Sequence, residues 1–353
     1  MMRFFALLAA LVATGIARAE PAALKPVEGD YVARDFAFGS GEKLGELRLH
    51  YTTLGTLQRD SAGRVTNAVM ILHGTGGDGK QFFRPQFANV LFAPGGLLDP
   101  AKYFIILPDG IGHGKSSKPS DGMGASFPKY DYDDMVRAQH LVLTQGLKVD
   151  RLRLIMGTSM GCMHAFVWGG TYPDFMDAMM PLACLPVEIA GRNRMWRKLA
   201  MDAITSDPDW RGGAYTKQPV RGLRTAASLL LVAGSAPIFW QQSYPTRVAA
   251  DQYAVDTVAK NIASLDANDL LYQLASSRNY NPSPRLDATK ARVAWINSAD
   301  DFINPPELAI AEREAKRLKA GTFVLLPASE QTRGHGSHTW AVLWQEHLAA
   351  LLK

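Results

Sequence analysis

The chain has 353 residues, of which 47% are apolar and 20% are charged. This composition is typical of a soluble globular protein with a large core, built as one domain with an insertion or as two domains. The formal net charge is only +5 and the basic residues are scattered, so the sequence does not indicate a nucleic-acid-binding protein.

The N-terminus resembles a secretory signal peptide. Arg3 is followed by a short apolar run over residues 4–16 and then by Ala17-Arg18-Ala19, which fits a cleavage site of small residues. Because the run is too short to span a membrane comfortably, we favour cleavage after Ala19 over a retained anchor. We therefore expect a periplasmic or secreted protein that lacks residues 1–19 and has no membrane attachment.

The next part of the chain predicts two strands and a glycine-rich loop. Residues 47–53 alternate apolar and polar side chains, whereas residues 68–72 predict a fully buried strand. That strand runs into the loop 73–79, where backbone N–H groups can approach a ligand closely. A phosphate-binding loop would end in Gly-Lys-Ser or Gly-Lys-Thr, but Gln81 follows Lys80 here.

A further strand and a helix precede the central motif. The buried strand over residues 103–107 leads into a loop that contains His113, for which we favour a structural role over that of a catalytic base. Residues 133–147 carry apolar side chains on one face and predict a crossover helix. Strands that alternate with helices in this way predict a parallel sheet.

The central motif is G-x-S-x-G at residues 157–161, which stands between a buried strand and a helical pattern. This combination is typical of the nucleophile elbow of the α/β-hydrolase fold. We therefore predict that fold, with a mostly parallel central sheet, helices on both faces and Ser159 as the nucleophile. The predicted oxyanion hole consists of the backbone N–H groups of Met160 and Thr75, with Gly76 as the alternative to Thr75.

The chain contains two cysteines, Cys162 and Cys184. An exported protein permits a disulfide between them. We nevertheless favour two buried free thiols that pack as small apolar side chains. Their spacing does not indicate a metal site, and we predict no cofactor.

From about residue 186 to residue 287 the pattern changes to helices without a clear strand. Helical periodicity is found over residues 194–204, 222–233, 248–263 and 269–276. We therefore predict a hydrolase core of residues 20–186 and 289–353 with a helical cap inserted at 187–288. A solvated helix face explains the basic residues at the start of the cap better than an acidic substrate group does. These basic residues are Arg192, Arg194, Arg197 and Lys198.

After an elbow serine, the α/β-hydrolase fold requires an acid and then a histidine in chain order. The predicted strand over residues 292–297 is followed by Asp300 and Asp301. We favour Asp301 because it stands four residues before Pro305, which suits the acid turn of this fold. Asp300 remains an alternative.

The histidine follows the last predicted strand, over residues 322–326. Both His335 and His338 stand there, and we favour His335 because it lies in the loop, directly after a glycine and before the closing helix. In the resulting triad, His335 takes the proton of Ser159, and Asp301 fixes the tautomer of the histidine.

Several stretches resemble the homoserine O-acetyltransferases of the α/β-hydrolase superfamily. Residues 127–139 (FPKYDYDDMVRAQ) and 157–164 (GTSMGCMH) are similar to the family's FP-x-x-T-I-x-D-M-V-x-A-Q and G-G-S-M-G-G-M-Q. In the cap, residues 203–223 and 266–268 are similar to further family motifs, among them D-P-x-W and G-x-Y. The resemblance covers most of the chain after about residue 45. It implies the same triad and oxyanion hole, a helical cap and often a homodimer.

The chain departs from this family where the acceptor would bind. The resemblance implies an aspartate directly after the catalytic histidine that holds the amino group of homoserine, but Gly336 stands there. Family members are cytoplasmic, where acetyl-CoA is available, whereas this chain carries a predicted export signal. We therefore predict an exported serine hydrolase that cleaves an ester or amide of a small-molecule substrate. An acyltransferase that uses acyl-CoA and an alcohol acceptor is the alternative, and an inactive binding protein is disfavoured.

Overall fold

The structure, a computed structural model, describes residues 24–353, so the predicted signal peptide lies outside the described residues. The strands are β1 (Val27–Ala37), β2 (Lys43–Leu54), β3 (Ala68–Leu72), β4 (Phe104–Pro108), β5 (Leu154–Thr158), β6 (Ala178–Leu182), β7 (Arg292–Ser298) and β8 (Gly321–Leu326). They form one eight-stranded sheet in the order β1-β2-β4-β3-β5-β6-β7-β8. Strand β2 is antiparallel to both of its neighbours, and the pairs from β4 to β8 are parallel. This mostly parallel sheet confirms the predicted fold class.

The α-helices are α1 (Pro85–Leu91), α2 (Tyr132–Leu141), α3 (Met160–Thr171), α4 (Gly191–Thr205), α5 (Val220–Ala233), α6 (Pro237–Ser243), α7 (Arg247–Ile262), α8 (Ala267–Ala275), α9 (Ile310–Ala315) and α10 (Gln345–Leu352). Helices α4 to α8 lie between β6 and β7, inside the range 187–288 predicted for the cap. Within residues 24–353, no single helix is long and apolar enough to cross a membrane. The pair α5 and α6 has the length and composition together, but the two helices meet at 106°.

Some elements differ from the sequence prediction. Strand β1 was not predicted, because it is an edge strand whose charged side chains are mostly exposed and hide the apolar alternation. Helix α6 was also missed, since it is short and has no buried residue. The predicted crossover helix is α2, which ends at Leu141 and continues as a π-helical turn, Val142–Gly146.

The sheet is covered on both faces by apolar side chains. Every residue of β3, β4 and β5 is buried, as expected for central parallel strands. One layer includes Trp168 and Trp295 and packs helices α2 and α3 on the sheet. The opposite layer includes Phe87 and Trp344, from α1 and the segment before α10. Because strands β3 to β8 are parallel, their carboxyl ends meet at one edge of the sheet, where loops can form a site.

Polar side chains hold the cap together at the positions that resemble the homoserine O-acetyltransferases. Tyr215 Oη donates a hydrogen bond to Asp266 Oδ1 at 2.7 Å. Trp210 Nε1 donates to Asn268 Oδ1 at 3.0 Å, and Asn268 Nδ2 donates to the carbonyl oxygen of Gly213 at 2.9 Å. These residues therefore connect cap elements to one another.

Cys162 and Cys184 form a disulfide, with their Cα atoms 5.8 Å apart. The expectation of two free thiols is therefore wrong. Cys162 lies in the first turn of α3 and Cys184 follows β6, and the parallel pairing of β5 with β6 brings these two segments together. The sequence does not reveal this contact, because it depends on the order of strands in the sheet.

Candidate active site

Ser159 occupies the sharp turn between β5 and α3. Its backbone φ is 53° and its ψ is −111°, a conformation that non-glycine residues rarely adopt outside functional sites. A Cβ atom on Gly157 would lie 2.0 Å from the carbonyl oxygen of Gly161, and one on Gly161 would lie 2.1 Å from that of Leu72. Both glycines are therefore required for the turn to close against β3 and present the serine hydroxyl at the sheet edge.

Three side chains from three separate loops form one hydrogen-bonded chain. His335 Nε2 lies 2.8 Å from Ser159 Oγ. His335 Nδ1 lies 2.8 Å from Asp301 Oδ2. The structure therefore brings together the three residues of the predicted triad, at distances that a nucleophile, a base and an orienting acid require.

Asp301 is held as a carboxylate. It is 2% exposed, and it accepts hydrogen bonds from the Ile303 N–H at 2.8 Å and from Asn304 Nδ2 at 2.9 Å. Burial disfavours the charged form, but His335 and these hydrogen bonds outweigh it, so the pKa of Asp301 is lowered. An ionised Asp301 requires a proton on His335 Nδ1, which leaves Nε2 free to accept the proton of Ser159.

Asp300, the alternative acid, holds the loop that carries the histidine. Its Oδ2 accepts hydrogen bonds from Thr332 Oγ1 at 2.8 Å and from the Gly334 N–H at 3.1 Å. Ser298 Oγ donates to the other carboxylate oxygen. Asp300 thus binds the residues before His335, whereas Asp301 binds its ring.

The two alternative histidines, His338 and His113, make no hydrogen bond to Ser159, and His113 is buried whereas His338 is half-buried. His338 Nδ1 has no hydrogen-bond partner among the described residues. Burial, together with the nearby His335, lowers the pKa of His338 to about 3. Burial likewise lowers the pKa of His113 well below its ordinary value, and its Nδ1 lies 2.9 Å from the carbonyl oxygen of Ile111. Both histidines therefore remain neutral and structural at ordinary pH.

The glycine-rich loop passes directly beside the elbow. A Cβ atom on Gly74 would lie 3.4 Å from the Cβ atom of Ser159. The carbonyl oxygen of Gly74, which shares a planar peptide unit with the Thr75 N–H, lies 2.9 Å from His73 Nδ1. Fixing this oxygen therefore also orients the Thr75 N–H. Neither that group nor the Met160 N–H donates a hydrogen bond within residues 24–353, so Thr75 and Met160 remain the predicted oxyanion donors.

The basic residues at the start of the cap do not share one role. Lys198 is exposed and pairs with Asp202 at 2.6 Å, as expected for a solvated helix face. That expectation is wrong for Arg197, which is 2% exposed and donates to Asn193 Oδ1 at 3.0 Å and Ser277 Oγ at 3.4 Å. Since so little of Arg197 is accessible, no space for an acidic substrate group lies beside it.

A cavity of about 750 Å³ lies beside the turn that carries the acid. Asp301, Phe302 and Met163 contribute to its wall, but Ser159 and His335 do not. The side chain of Asp301 is fully buried, so its carboxylate is not accessible from this cavity. We therefore do not interpret this cavity as the binding site of the acyl group that reacts with Ser159.

Gly336 directly follows His335 and begins a 3₁₀ turn, Gly336–Thr339. A Cβ atom at Gly336 would meet only the Cβ atom of Arg333, at 3.6 Å, which is an ordinary contact. The fold therefore does not require glycine at this position. The absence here of the acid that the resemblance implies therefore has no steric cause.

Two polar side chains at the site were not singled out from the sequence. Asn304 Nδ2 donates to Asp301 and also to the carbonyl oxygen of Ala183, at 3.1 Å. Gln81 Nε2 donates to Thr158 Oγ1 at 2.9 Å. An Asn in a loop is a turn signal that could have drawn attention to Asn304. Nothing local marks Gln81, because its partner is 77 positions away along the chain.

Comparison with known proteins places this chain in a family. The chain matches the alpha/beta hydrolase fold family over residues 67–338. It is 34% identical over 327 residues to a homoserine O-acetyltransferase of Rhodospirillum rubrum, covering 81% of this chain and 82% of that protein. It is 30% identical over 275 residues to a probable acyltransferase of Methanothermobacter thermautotrophicus, covering 78% and 82% of the two chains.

Solved structures share the fold at lower sequence identity. The acetyl esterase MekB superimposes with a TM-score of 0.79 at 23% identity, covering 94% of this chain and 96% of that chain. The homoserine O-acetyltransferase of Bacillus anthracis superimposes with a TM-score of 0.80 at 21% identity, covering 93% and 98%. From the sequence relatives and the fold together, the chain belongs to the α/β-hydrolase fold family and, within it, to the homoserine O-acetyltransferase-like enzymes.

Proposed function

We propose that this chain is an exported serine hydrolase that cleaves an ester or an amide through an acyl-enzyme on Ser159. The observation that carries the proposal is the continuous hydrogen-bonded chain from Ser159 through His335 to Asp301, with both contacts at 2.8 Å. This arrangement suits acyl transfer, because it supplies a nucleophile, a base with a free ring nitrogen and an acid that orients the base.

The reaction begins when Ser159 Oγ attacks the carbonyl carbon and His335 Nε2 accepts the hydroxyl proton. Asp301 stabilises the imidazolium that forms, and the N–H groups of Thr75 and Met160 receive the negative charge on the carbonyl oxygen. His335 then gives its proton to the leaving group as that bond breaks. A water molecule attacks the acyl-enzyme with His335 again as the base, which releases the acid and restores Ser159.

Water is the acceptor that the site supports best. Transfer to homoserine requires a partner for an ammonium group, and leaving such a charge buried without one costs several kcal/mol. Gly336, at the position where the resemblance implies an aspartate, offers no charge. An acyltransferase that uses acyl-CoA and an alcohol is the second candidate, and the 34% identity to a homoserine O-acetyltransferase favours it.

Export supports hydrolysis over acyl-CoA-dependent transfer. The predicted signal peptide and the Cys162–Cys184 disulfide are both typical of a periplasmic or secreted protein, since disulfides persist in oxidising compartments. Acyl-CoA is a cytoplasmic metabolite, so an exported enzyme would be separated from that donor.

The first experiment tests the nucleophile. A fluorophosphonate probe should label one serine of the mature protein, and Ser159→Ala should remove both the label and at least about 10⁴-fold of the turnover of an aryl ester. Ser61→Ala, at an exposed turn residue, is the control and should behave as the wild type. Labelling that persists in Ser159→Ala would remove this serine from the mechanism.

The second experiment separates hydrolase from transferase by mass spectrometry of the products. With acetyl-CoA and homoserine present, we expect free acetate from a simple acetyl ester and no O-acetylhomoserine. Gly336→Asp is the matched variant, because the position can accommodate a side chain, and any homoserine acceptance should increase there. O-acetylhomoserine that accumulates faster than acetate in the wild type would overturn the hydrolase assignment.

A further inference from the structure

Gln81 connects the two segments that carry the predicted oxyanion donors. It lies in the 3₁₀ turn Gly79–Phe83, directly after the glycine-rich loop. Its Nε2 donates to Thr158 Oγ1 at 2.9 Å, and its Oε1 accepts from the Gly74 N–H at 3.4 Å. One side-chain amide therefore bonds to the glycine-rich loop on one side and to the elbow on the other.

Both partners of Gln81 stand next to the reacting groups in the chain. Gly74 directly precedes Thr75, whose N–H is one predicted donor, and Thr158 directly precedes Ser159. Thr158 is completely buried, and its hydroxyl also donates to the last carbonyl oxygen of β3 at 3.3 Å. A shift of the Gln81 amide would therefore change the position of Thr75 relative to the elbow.

The loop is shaped around this amide. A Cβ atom on Gly77 would lie 2.5 Å from Gln81 Oε1, so a larger residue at position 77 would displace the side chain. The Gly77 N–H in turn donates to the carbonyl oxygen of Gly74 at 3.0 Å, in the same peptide unit as the Thr75 N–H. The orientation of that N–H thus depends on a compact set of contacts that Gln81 completes.

We propose that Gln81 is a positioning residue that holds the Thr75 N–H and the Met160 N–H at the separation needed to bind one oxyanion. The inference rests on the proposed function. Stabilisation by an oxyanion hole depends strongly on distance, and losing one donor entirely costs about 10²–10³-fold in kcat. Displacing a donor by removing its support should cost less, about 10–100-fold, and should leave KM within about 3-fold, because the ground-state carbonyl depends little on these contacts.

The test uses Gln81→Met, which keeps the length of the side chain and removes both hydrogen bonds. The expected result is a lower kcat at nearly constant KM, with a trifluoromethyl ketone that forms a hemiketal on Ser159 losing affinity by the same factor as kcat/KM. Thr158→Val removes the hydroxyl that accepts the hydrogen bond of Gln81 Nε2. The kcat of the double variant should therefore be no lower than that of the less active single variant. Gln252→Met removes an exposed glutamine hydrogen bond to Asp256 in α7 and is the control.

Two results would overturn the inference. One is an unchanged kcat in Gln81→Met. The other is a lower melting temperature and a lower kcat with unchanged affinity for the trifluoromethyl ketone, which would make Gln81 a residue of fold stability only. The rate of fluorophosphonate labelling of Ser159 gives the same comparison without a substrate. If the wild type is labelled at Ser159 but hydrolyses no ester or amide, the proposed function is refuted. The labelling rates of the wild type and Gln81→Met would still decide the role of Gln81.

Discussion

Replacing Asp301 by asparagine should nearly abolish activity, whereas the same replacement of the adjacent Asp300 should have a small effect. In the part of the chain that the structure describes, every group that hydrogen-bonds to the Asp301 carboxylate is a donor: His335 Nδ1, Asn304 Nδ2 and the Ile303 N–H. The amide NH₂ of Asp301→Asn must therefore face one of them. If it faces His335, the ring proton moves to Nε2, and the histidine can no longer accept the proton of Ser159.

The loss can be estimated from the same substitution in a serine protease, where the wrong tautomer lowers kcat by about 10⁴-fold, equivalent to about 5.5 kcal/mol. Asp300→Asn should lower kcat by less than about 10-fold. Its amide oxygen can still accept from Thr332 and Gly334, and its NH₂ can donate to the hydroxyl of Ser298, which is free to rotate. The matched pair differs only in which acid contacts the ring.

The assay is steady-state hydrolysis of an aryl ester by both variants, with thermal unfolding measured in parallel. Asp301→Asn should remain folded and nearly inactive, and Asp300→Asn should remain folded and active. An inactive Asp300→Asn beside an active Asp301→Asn would refute the assignment of the acid. Equal losses in both variants, without unfolding, would also count against the assignment, because Asp300→Asn retains the hydrogen bonds of the loop.

Two further predictions concern stability. Burial lowers the pKa of His164 and His338 to about 3, so below about pH 6.5 the unfolded chain binds protons that the folded chain does not, and stability is lost as the pH falls. Each histidine should cost about 2 kcal/mol between pH 7 and 5 in urea unfolding, and equal unfolding free energies at the two pH values would contradict this account. Reducing the disulfide should lower stability by about 3 kcal/mol, and the double variant Cys162→Ala/Cys184→Ala should show the same loss and no response to reductant.

The features that the sequence predicted well are those encoded over short stretches. Central strands such as β3 and β5 are continuous apolar runs because both faces are buried, so their residues alone identify them. The elbow is equally local, since Gly157 and Gly161 are required by contacts within the turn and with β3. A parallel sheet then follows from the alternation of strands and helices, and the carboxyl ends of its strands confine the serine, acid and histidine loops to one edge.

The features that were missed depend on contacts between distant segments. Pairing of Cys162 with Cys184 requires β5 beside β6, and burial of Arg197 requires α4 to pack its basic side toward Ser277. Helical periodicity cannot distinguish an exposed arginine from a buried one, because the methylene groups of arginine can pack against apolar residues while its guanidinium group forms hydrogen bonds. Gln81 was missed for the same reason, since its hydrogen-bond partner Thr158 lies at the end of β5, 77 positions further along the chain.

The cap shows how far the resemblance to homoserine O-acetyltransferases can be taken. Tyr215 and Asp266, as well as Trp210 and Asn268, are hydrogen-bonded to one another in the cap, so the structure of the cap explains these residues whatever the enzyme acts on. Similarity at such positions supports a common scaffold and carries little information about the acceptor. The choice between water and an alcohol depends on residues that face the acyl-enzyme. Gly336, directly after His335, can accommodate a side chain and carries no acid, so the proposed hydrolase differs from what the resemblance implies at a position that most of the similarity does not include.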